Sequence, residues 1–134
     1  MSFKALIVDD EKAVQGVLAR FLQQYARERG LDADIHTLQN PVEALFELTT
    51  AGEHYDIILL DVRLPKMGGD EIYHAIEQVH SDILNRILFV TGFPEDLHRN
   101  LPQQRLRILQ KPFRYRQLAE MLDEMVESKR ETPA

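Results

Sequence analysis

The feature that most constrains this chain is a short apolar run, Ile57–Leu60, that ends directly in Asp61. The run has strand length and no polar alternation, which is typical of a central parallel strand covered by helices on both faces. The next eight residues contain one proline and two glycines, so the chain turns immediately after the strand. Asp61 is therefore predicted at the sheet edge where open α/β sheets bind ligands. Locally, it is either a reactive group or a turn residue that accepts hydrogen bonds from nearby backbone N–H groups.

A second apolar run near the amino terminus ends in the same way. Residues 5–8 are followed by Asp9, Asp10 and Glu11, which are three acidic residues in succession. Apolar residues then recur at helical spacing as far as Tyr25, and Gly30 ends this predicted helix. The local pattern leaves Asp10 open to a second interpretation, in which its side chain caps that helix.

Predicted strands and helices alternate along the rest of the chain. Residues 33–38 read as a strand at or near a sheet edge, and Asn40 and Pro41 then form a helix-start signal. The apolar face of this helix is predicted to comprise Val42, Leu45, Phe46 and Leu48. The later elements are a helix over residues 70–79 with Val79 on its apolar face, a strand over 86–91, a short helix between Pro94 and Pro102, a strand over 106–110 and a helix over 115–126.

Five strands alternating with five helices predict an α/β fold in which right-handed crossovers build one parallel sheet with helices on both faces. This is the flavodoxin-like (βα)5 doubly wound sandwich, with strand order 2-1-3-4-5. Its crevice opens between strands one and three. Asp9, Asp10 and Asp61 follow those two strands, so three carboxylates are predicted to converge.

Composition narrows the possible function classes. The length of 134 residues suits one domain, which we expect to span residues 1–127, with residues 128–134 as a polar tail or truncated linker. The absence of cysteine excludes disulfides, thiolate metal sites and cysteine nucleophiles. No signal-peptide pattern and no long apolar run occur, which predicts a cytoplasmic protein without membrane insertion. The net charge of −6 disfavours direct nucleic-acid binding by this domain.

The predicted carboxylate cluster indicates a metal-assisted phosphoryl site. Carboxylates held close together either raise a pKa or recruit a cation, and oxygen ligands alone favour Mg²⁺. Strands four and five end near Thr91 and Lys111, which supply a hydroxyl and an ammonium group. Together these groups suit a transferred phosphoryl group, whose peripheral oxygens carry the charge. Asp61 would then be the nucleophile that forms an aspartyl-phosphate.

The same positions resemble the receiver domain of two-component response regulators over residues 3–127. Asp9 and Asp10 match the family's acidic pair, Asp61 its phosphoacceptor, and Thr91 and Lys111 its hydroxyl and lysine. Residues 64–69 are similar to the loop after the phosphoacceptor, and residues 111–113 to the closing motif, whose Lys-Pro bond is typically cis. The resemblance implies Mg²⁺ bound by Asp9, Asp10, Asp61 and the backbone carbonyl of residue 63.

The resemblance implies a function as a phosphorylatable switch rather than a true enzyme. Its phosphodonor would be a sensor histidine kinase or a histidine phosphotransfer domain, and its output a downstream protein or a fused output domain. Ile108 and the Gln-Lys-Pro-Phe sequence at 110–113 are similar to receivers attached to hybrid sensor kinases. Both a single-domain regulator and a receiver within a longer protein stay open.

Three positions depart from the family pattern or qualify it. Ile108 lies where many receivers have tyrosine or phenylalanine, which puts aromatic switching through that position in doubt. Arg63 and Phe93 lie two residues after Asp61 and Thr91, and the resemblance implies that they rim the site and influence the lifetime of the phosphate. Two alternative functions are an interaction module that is not phosphorylated and a phosphatase-like hydrolase, whose usual second aspartate is Arg63 here.

Overall fold

The computed structural model describes residues 2–102 and 105–131, with side chains as far as residue 126 in the last helix. Strands and helices alternate as the sequence predicts, and two 3₁₀ turns, Gly52–His54 and Ser81–Arg86, precede the third and fourth strands. The elements are β1 (Ser2–Val8), α1 (Lys12–Glu28), β2 (Asp32–Leu38), α2 (Pro41–Ala51), β3 (Ile57–Leu60), α3 (Gly69–Val79), β4 (Ile87–Thr91), α4 (Pro94–Asn100), β5 (Ile108–Gln110) and α5 (Tyr115–Glu131).

The five strands form one parallel sheet in the order β2-β1-β3-β4-β5, which confirms the predicted flavodoxin-like topology. Strand β3 lies at the centre and all four of its residues are buried. Strand β2 lies at an edge, as predicted, and its residues are exposed or half-buried. The register places Val8 beside Leu60, so the residues that follow β1 and β3 emerge next to each other.

Two apolar layers hold helices to the sheet because alternate strand residues point to opposite faces. On one face, Ile7, Leu59 and Leu88 share a cluster with residues of α1 and α5. On the other face, Leu6, Ile58, Leu60 and Phe89 share a cluster with residues of α2, α3 and α4. A continuous apolar strand such as β3 is therefore required, since both of its faces are covered by helices.

The predicted apolar faces of two helices are partly wrong. Helix α2 buries Ala44 and Leu48 against the sheet, whereas Val42 and Phe46 project from its other side and are 58% and 68% exposed. Helix α3 ends at Val79, which is 68% exposed, because the helix has passed the edge of the core there. Helical spacing identified apolar positions, but only the direction of packing determines which of them are covered.

The ends of several elements also differ from the predicted ones. Asn40 caps α2 as predicted, with its side chain accepting hydrogen bonds from two backbone N–H groups. The predicted last helix stops at residue 126, but α5 continues to Glu131, because the sequence offers no glycine or proline before Pro133. The predicted tail thus begins inside this helix, and residues 132–134 lie outside the described residues. Among the described residues, no helix combines the length and apolar character of a membrane span.

Candidate functional site

Three carboxylates converge at the carboxyl edge of the sheet. Asp9 follows β1 and Asp61 follows β3, and both side chains are buried. Asp10, the next residue along, is exposed. One carboxylate oxygen from each of these three residues lies within 4.8 Å of the others. The parallel pairing of β1 with β3 thus produces the predicted cluster, whose oxygen-only donor set suits a hard divalent cation.

Asp10 does not cap the helix that follows it. The N-cap residue of α1 is Glu11, whose side chain makes no capping hydrogen bond. The backbone N–H of Glu11 instead donates to Oδ1 of Asp9 over 2.9 Å. The structure therefore assigns the local turn contact to Asp9 and directs Asp10 into the carboxylate cluster.

Lys111 brings a positive charge to two of the three carboxylates. Its Nζ donates to Oδ2 of Asp9 over 3.0 Å and lies 3.5 Å from Oδ2 of Asp61. Burial lowers the pKa of Lys111, but the hydrogen bond that it donates to Asp9 and the charges of both aspartates outweigh burial and raise it. The lysine follows β5, and its backbone N–H donates to the Thr91 carbonyl over 2.8 Å. The Lys111–Pro112 peptide bond is cis, as expected.

Asp61 has two different oxygen environments. Its Oδ1 accepts a hydrogen bond from the Val62 backbone N–H over 2.8 Å, which is the contact that a turn residue makes. Its Oδ2 faces Lys111 instead. Burial raises the pKa of Asp61 to about 6; Lys111 opposes this rise and Asp9 adds to it. Oδ1 therefore makes the contact that the turn interpretation predicts, and Oδ2 has the environment that the reactive interpretation requires.

Thr91 completes the set of predicted groups at this edge. It ends β4, next to β3, and is fully buried. The Thr91 Oγ1 accepts a hydrogen bond from the backbone N–H of Phe93 over 3.0 Å. The hydroxyl is thus held at the start of the loop that leads into α4, on the β4 side of Asp61.

Arg63 and Phe93 contact each other across two loops. The guanidinium carbon of Arg63 lies 3.3 Å from the centroid of the Phe93 ring, a cation–π contact. Arg63 Nε also donates to Oδ2 of Asp96 over 2.8 Å. This hydrogen bond raises the pKa of Arg63 and lowers that of Asp96. The loop after β3 is therefore joined to the first turn of α4 beside the carboxylate cluster.

Two residues that support the site were not predicted from the sequence. Gln15, buried in α1, donates from Nε2 to the Asp9 carbonyl over 2.6 Å and holds the turn after β1 in place. In the sequence, Gln15 lies among the apolar residues of the predicted α1 face, and this position was the signal that its side chain would be buried. Asp96 was missed because its partner, Arg63, lies far away in sequence.

Ile108, at the position where many receivers have an aromatic residue, is half-buried. It pairs with Phe89 in the sheet and packs against the apolar layer formed with α2, α3 and α4. That Ile108 puts aromatic switching through this position in doubt stays a prediction.

The raised pKa of Asp61 predicts that Asp61→Asn stabilises the metal-free protein at neutral pH. The ordinary pKa of an aspartate is 3.8, and the pKa of Asp61 in the folded protein is about 6. Between these two pH values, Asp61 therefore keeps its proton in the folded state but has lost it in the unfolded state. Wild-type stability therefore falls as pH rises from about 4 to 6. Above pH 6 we expect the asparagine variant to be more stable by roughly 1–2 kcal/mol, after allowance for solvent screening.

Urea unfolding followed by circular dichroism in a chelating buffer measures this difference at pH 7.5 and pH 4. Asp82→Asn is the matched control, because Asp82 is exposed and precedes β4, at the amino ends of the strands. This substitution should change stability little at either pH. An Asp61→Asn effect of equal size at both pH values would contradict a cost of charging Asp61.

Comparison with known proteins identifies similar sequences. The family profile described as "Response regulator receiver domain" matches residues 5–123. The chain is 37% identical over 128 residues to the sensor kinase CckA of Brucella abortus, covering 94% of this chain and 13% of that protein. It is 35% identical over 101 residues to the alkaline phosphatase synthesis transcriptional regulatory protein PhoP of Bacillus subtilis, covering 75% of this chain and 38% of that protein. The chain thus spans only a minor part of each relative.

Solved structures share the fold. The receiver domain of the sensor histidine kinase PA1611 from Pseudomonas aeruginosa, with a magnesium ion coordinated in its active-site cleft, superposes with a TM-score of 0.77 at 21% identity and covers 95% of this chain and 99% of that one. The chemotaxis protein CheY4 of Vibrio cholerae superposes with a TM-score of 0.71 at 26% identity and covers 93% of this chain and 99% of that one.

Proposed function

This chain belongs to the response regulator receiver domain family, and from that membership we propose that it is a signalling switch phosphorylated on Asp61. The observation that carries the proposal is the meeting of three carboxylates and one ammonium group at the carboxyl edge of the sheet. With Asp61 as the proposed nucleophile, a carboxylate oxygen, an ammonium group and a proposed metal site would lie close together. Such a combination suits phosphoryl transfer, which depends on positioning and charge neutralisation.

In the proposed reaction, Asp61 attacks the phosphorus of a phosphohistidine. A P–O bond forms to the carboxylate as the P–N bond breaks, and the histidine keeps the electron pair and takes up a proton. The Lys111 ammonium, already 3.5 Å from Asp61, would pair with a phosphoryl oxygen. Thr91 would donate its hydroxyl to a second oxygen while its Oγ1 keeps the hydrogen bond that it accepts from the Phe93 backbone N–H.

The residues of the cleft fit a magnesium ion. Asp9, Asp10 and Asp61 supply carboxylate oxygens, and the backbone carbonyl of Arg63 is the further ligand that we propose. Bound Mg²⁺ would neutralise the charge between the carboxylate and the incoming phosphoryl group. Two observations support this proposal: the convergence of the three carboxylates within 4.8 Å of one another, and the magnesium described for the P. aeruginosa domain.

We propose a histidine kinase or histidine phosphotransfer domain as the phosphodonor, and a downstream protein or fused output domain as the receiver of the signal. The relatives include both a sensor kinase and a transcriptional regulator, so either context is compatible with this domain. Kinase-linked signalling would place the domain in the cytoplasm. As a regulatory module it would act on its own phosphoryl group, including its loss by hydrolysis. A non-phosphorylated interaction module has less support, because no member of the predicted site is missing.

Intact-mass analysis after incubation with Mg²⁺ and acetyl phosphate tests the proposed function. We expect wild type to gain one phosphoryl group, Asp61→Asn to gain none, and a chelator to prevent the gain. Asp82→Asn, a distant and exposed aspartate, should behave as wild type. Equal labelling of wild type and Asp61→Asn would contradict the assignment of Asp61.

The Arg63–Phe93 contact is proposed to control the lifetime of the phosphate. The two side chains contact each other beside the cleft, so removing either one opens a path for water toward Asp61. Arg63→Ala and Phe93→Ala are each expected to shorten the lifetime several-fold, measured by loss of the phosphoryl mass after removal of the donor.

Arg99→Ala is the matched control for this prediction. Arg99 also lies near Asp96, at 3.8 Å, but the aromatic contact to Phe93 is made by Arg63. A lifetime unchanged in Arg63→Ala and Phe93→Ala, or shortened equally in Arg99→Ala, would show that the contact does not restrict water.

A further inference from the structure

Helix α2 presents an apolar strip to solvent. Val42 and Phe46 are one helical turn apart, on the side of α2 that faces away from the sheet. They are 58% and 68% exposed, although both are large apolar side chains. We call these two residues the α2 strip. Because Ala44 and Leu48 already hold the helix to the sheet, the α2 strip is not needed for the core of this domain.

A groove connects the α2 strip with the carboxylate cluster. The groove has a volume of about 480 Å³ and is lined by the start of α2 and by the loop after β3. Asp10, a member of the carboxylate cluster, lies in its wall, and so does Val42. The full lining is Asp10, Gln39, Asn40, Pro41, Val42, Pro65 and Lys66. The α2 strip is therefore continuous with the proposed phosphorylation site.

We propose that the α2 strip is part of the docking surface for the protein that carries the phosphohistidine. This inference rests on the proposed function. Asp61 is only 6% exposed, so a phosphohistidine must be brought down into the cleft to reach it. The donor backbone must then lie over the surrounding loops, which include the walls of the groove.

The size of a specific interface favours burial of the α2 strip. Stable protein–protein contacts bury about 800 Å² on each partner, far more than one imidazole-phosphate group can cover. The donor must consequently contact surface beyond the rim of the cleft. The α2 strip is apolar and begins in the wall of the groove, and aromatic residues such as Phe46 often dominate binding energy.

The charge around the α2 strip defines the partner face further. Glu43 lies between Val42 and Phe46 in sequence and is exposed, and Asp10 is exposed at the other end of the groove. Lys66, in the loop after β3, is also exposed in the wall of the groove and adds one positive charge. A complementary donor surface therefore has an apolar centre that covers Phe46 and basic groups that face Glu43 and Asp10. It also has an acidic or polar group that faces Lys66.

A comparison of a small phosphodonor with a protein phosphodonor distinguishes an effect on docking from an effect on the phosphoryl-transfer reaction. Acetyl phosphate reaches Asp61 without contacting α2, whereas a protein donor has to dock. Wild type is first offered a panel of purified, autophosphorylated histidine kinases and histidine phosphotransfer proteins, and the fastest donor is retained. Val42→Ser, Phe46→Ser and the double variant are then compared with wild type for both kinds of donor, with the protein donor below saturation.

Val79→Ser is the matched control, because Val79 is as exposed as Phe46 but lies at the end of α3, away from the groove. We expect the double variant to accept phosphate from acetyl phosphate at the wild-type rate, and from the protein donor about tenfold more slowly. Val79→Ser should match wild type with both donors.

Four results would overturn the inference: an unchanged rate with the protein donor, an equal loss in Val79→Ser, an equal loss with acetyl phosphate, or no transfer to wild type from any protein donor. Concentration-dependent self-association that is lost in Phe46→Ser, with transfer unchanged, would assign the α2 strip to a second copy of the chain instead. If the proposed function itself were wrong, wild type would gain no phosphate from acetyl phosphate, and this result is distinct from the four above.

Discussion

We expect Asp10→Asn to lower the affinity for Mg²⁺ by about tenfold to a hundredfold. Even residues that only orient a metal ligand contribute this much to affinity, and Asp10 is one of three carboxylates that converge directly. Asp10 is also the exposed member of the cluster, and Lys111 lies beside Asp9 and Asp61 instead. It is therefore the carboxylate most available to a cation entering from solvent. Isothermal titration calorimetry of Mg²⁺ into metal-free protein measures the change.

Glu11→Gln is the control for this prediction. It removes the third charge of the acidic run without removing a member of the carboxylate cluster. We expect Glu11→Gln to bind Mg²⁺ nearly as well as wild type, because a solvated charge outside the cluster contributes little. Equal losses in the two variants would mean that overall negative charge, rather than convergence of three carboxylates, determines metal affinity.

Gly69→Ala destabilises the protein by roughly 1–3 kcal/mol or more, since the added methyl group has no room. A Cβ at residue 69 would lie 2.1 Å from the Asp61 carbonyl oxygen and 3.1 Å from Cγ of Leu60. The first neighbour is backbone, which cannot move aside without displacing the strand end that carries Asp61. The variant should therefore also accept phosphate poorly. Urea unfolding and labelling by acetyl phosphate measure the two effects.

Gly16→Ala provides a control of opposite sign. Gly16 lies exposed in α1, and a Cβ there would meet nothing within 4 Å. Replacing a helical glycine of this kind by alanine stabilises by about 0.5–1 kcal/mol. If Gly69→Ala were as stable as wild type, the close approach of α3 to the end of β3 would not constrain the site as described.

Most of the fold was predictable because the signals were local and repeated. Each buried strand is a continuous apolar run, and each run ends in the polar residue that the sheet edge then displays, as Asp61 and Thr91 do. Right-handed crossovers leave few topologies for such a pattern, so strand order and the meeting of Asp9 with Asp61 followed from elementary rules. The carboxylate cluster was thus predictable from β1 and β3 alone.

The features that could not be predicted from the sequence depend on how the helices, strands and loops are oriented and how far apart they lie. Helical spacing places Val42 and Phe46 among apolar residues, but the tilt of α2 on the sheet decides that they face solvent. The contact of Arg63 with Phe93 and Asp96 joins two loops that local patterns treat separately. The raised pKa of Asp61 likewise depends on burial and on the exact positions of Lys111 and Asp9.

We propose that Asp61 is the residue that carries the phosphoryl group. The most direct test traps the acyl phosphate: wild type is incubated with Mg²⁺ and acetyl phosphate, reduced with borohydride, digested and sequenced by mass spectrometry. Reduction converts a phosphorylated aspartate to homoserine, so the modified residue is identified by position. We predict conversion at residue 61 alone, dependent on both donor and Mg²⁺. Conversion at Asp9 or Asp10, or phosphate found on another residue with Asp61 unmodified, would contradict this account of the site.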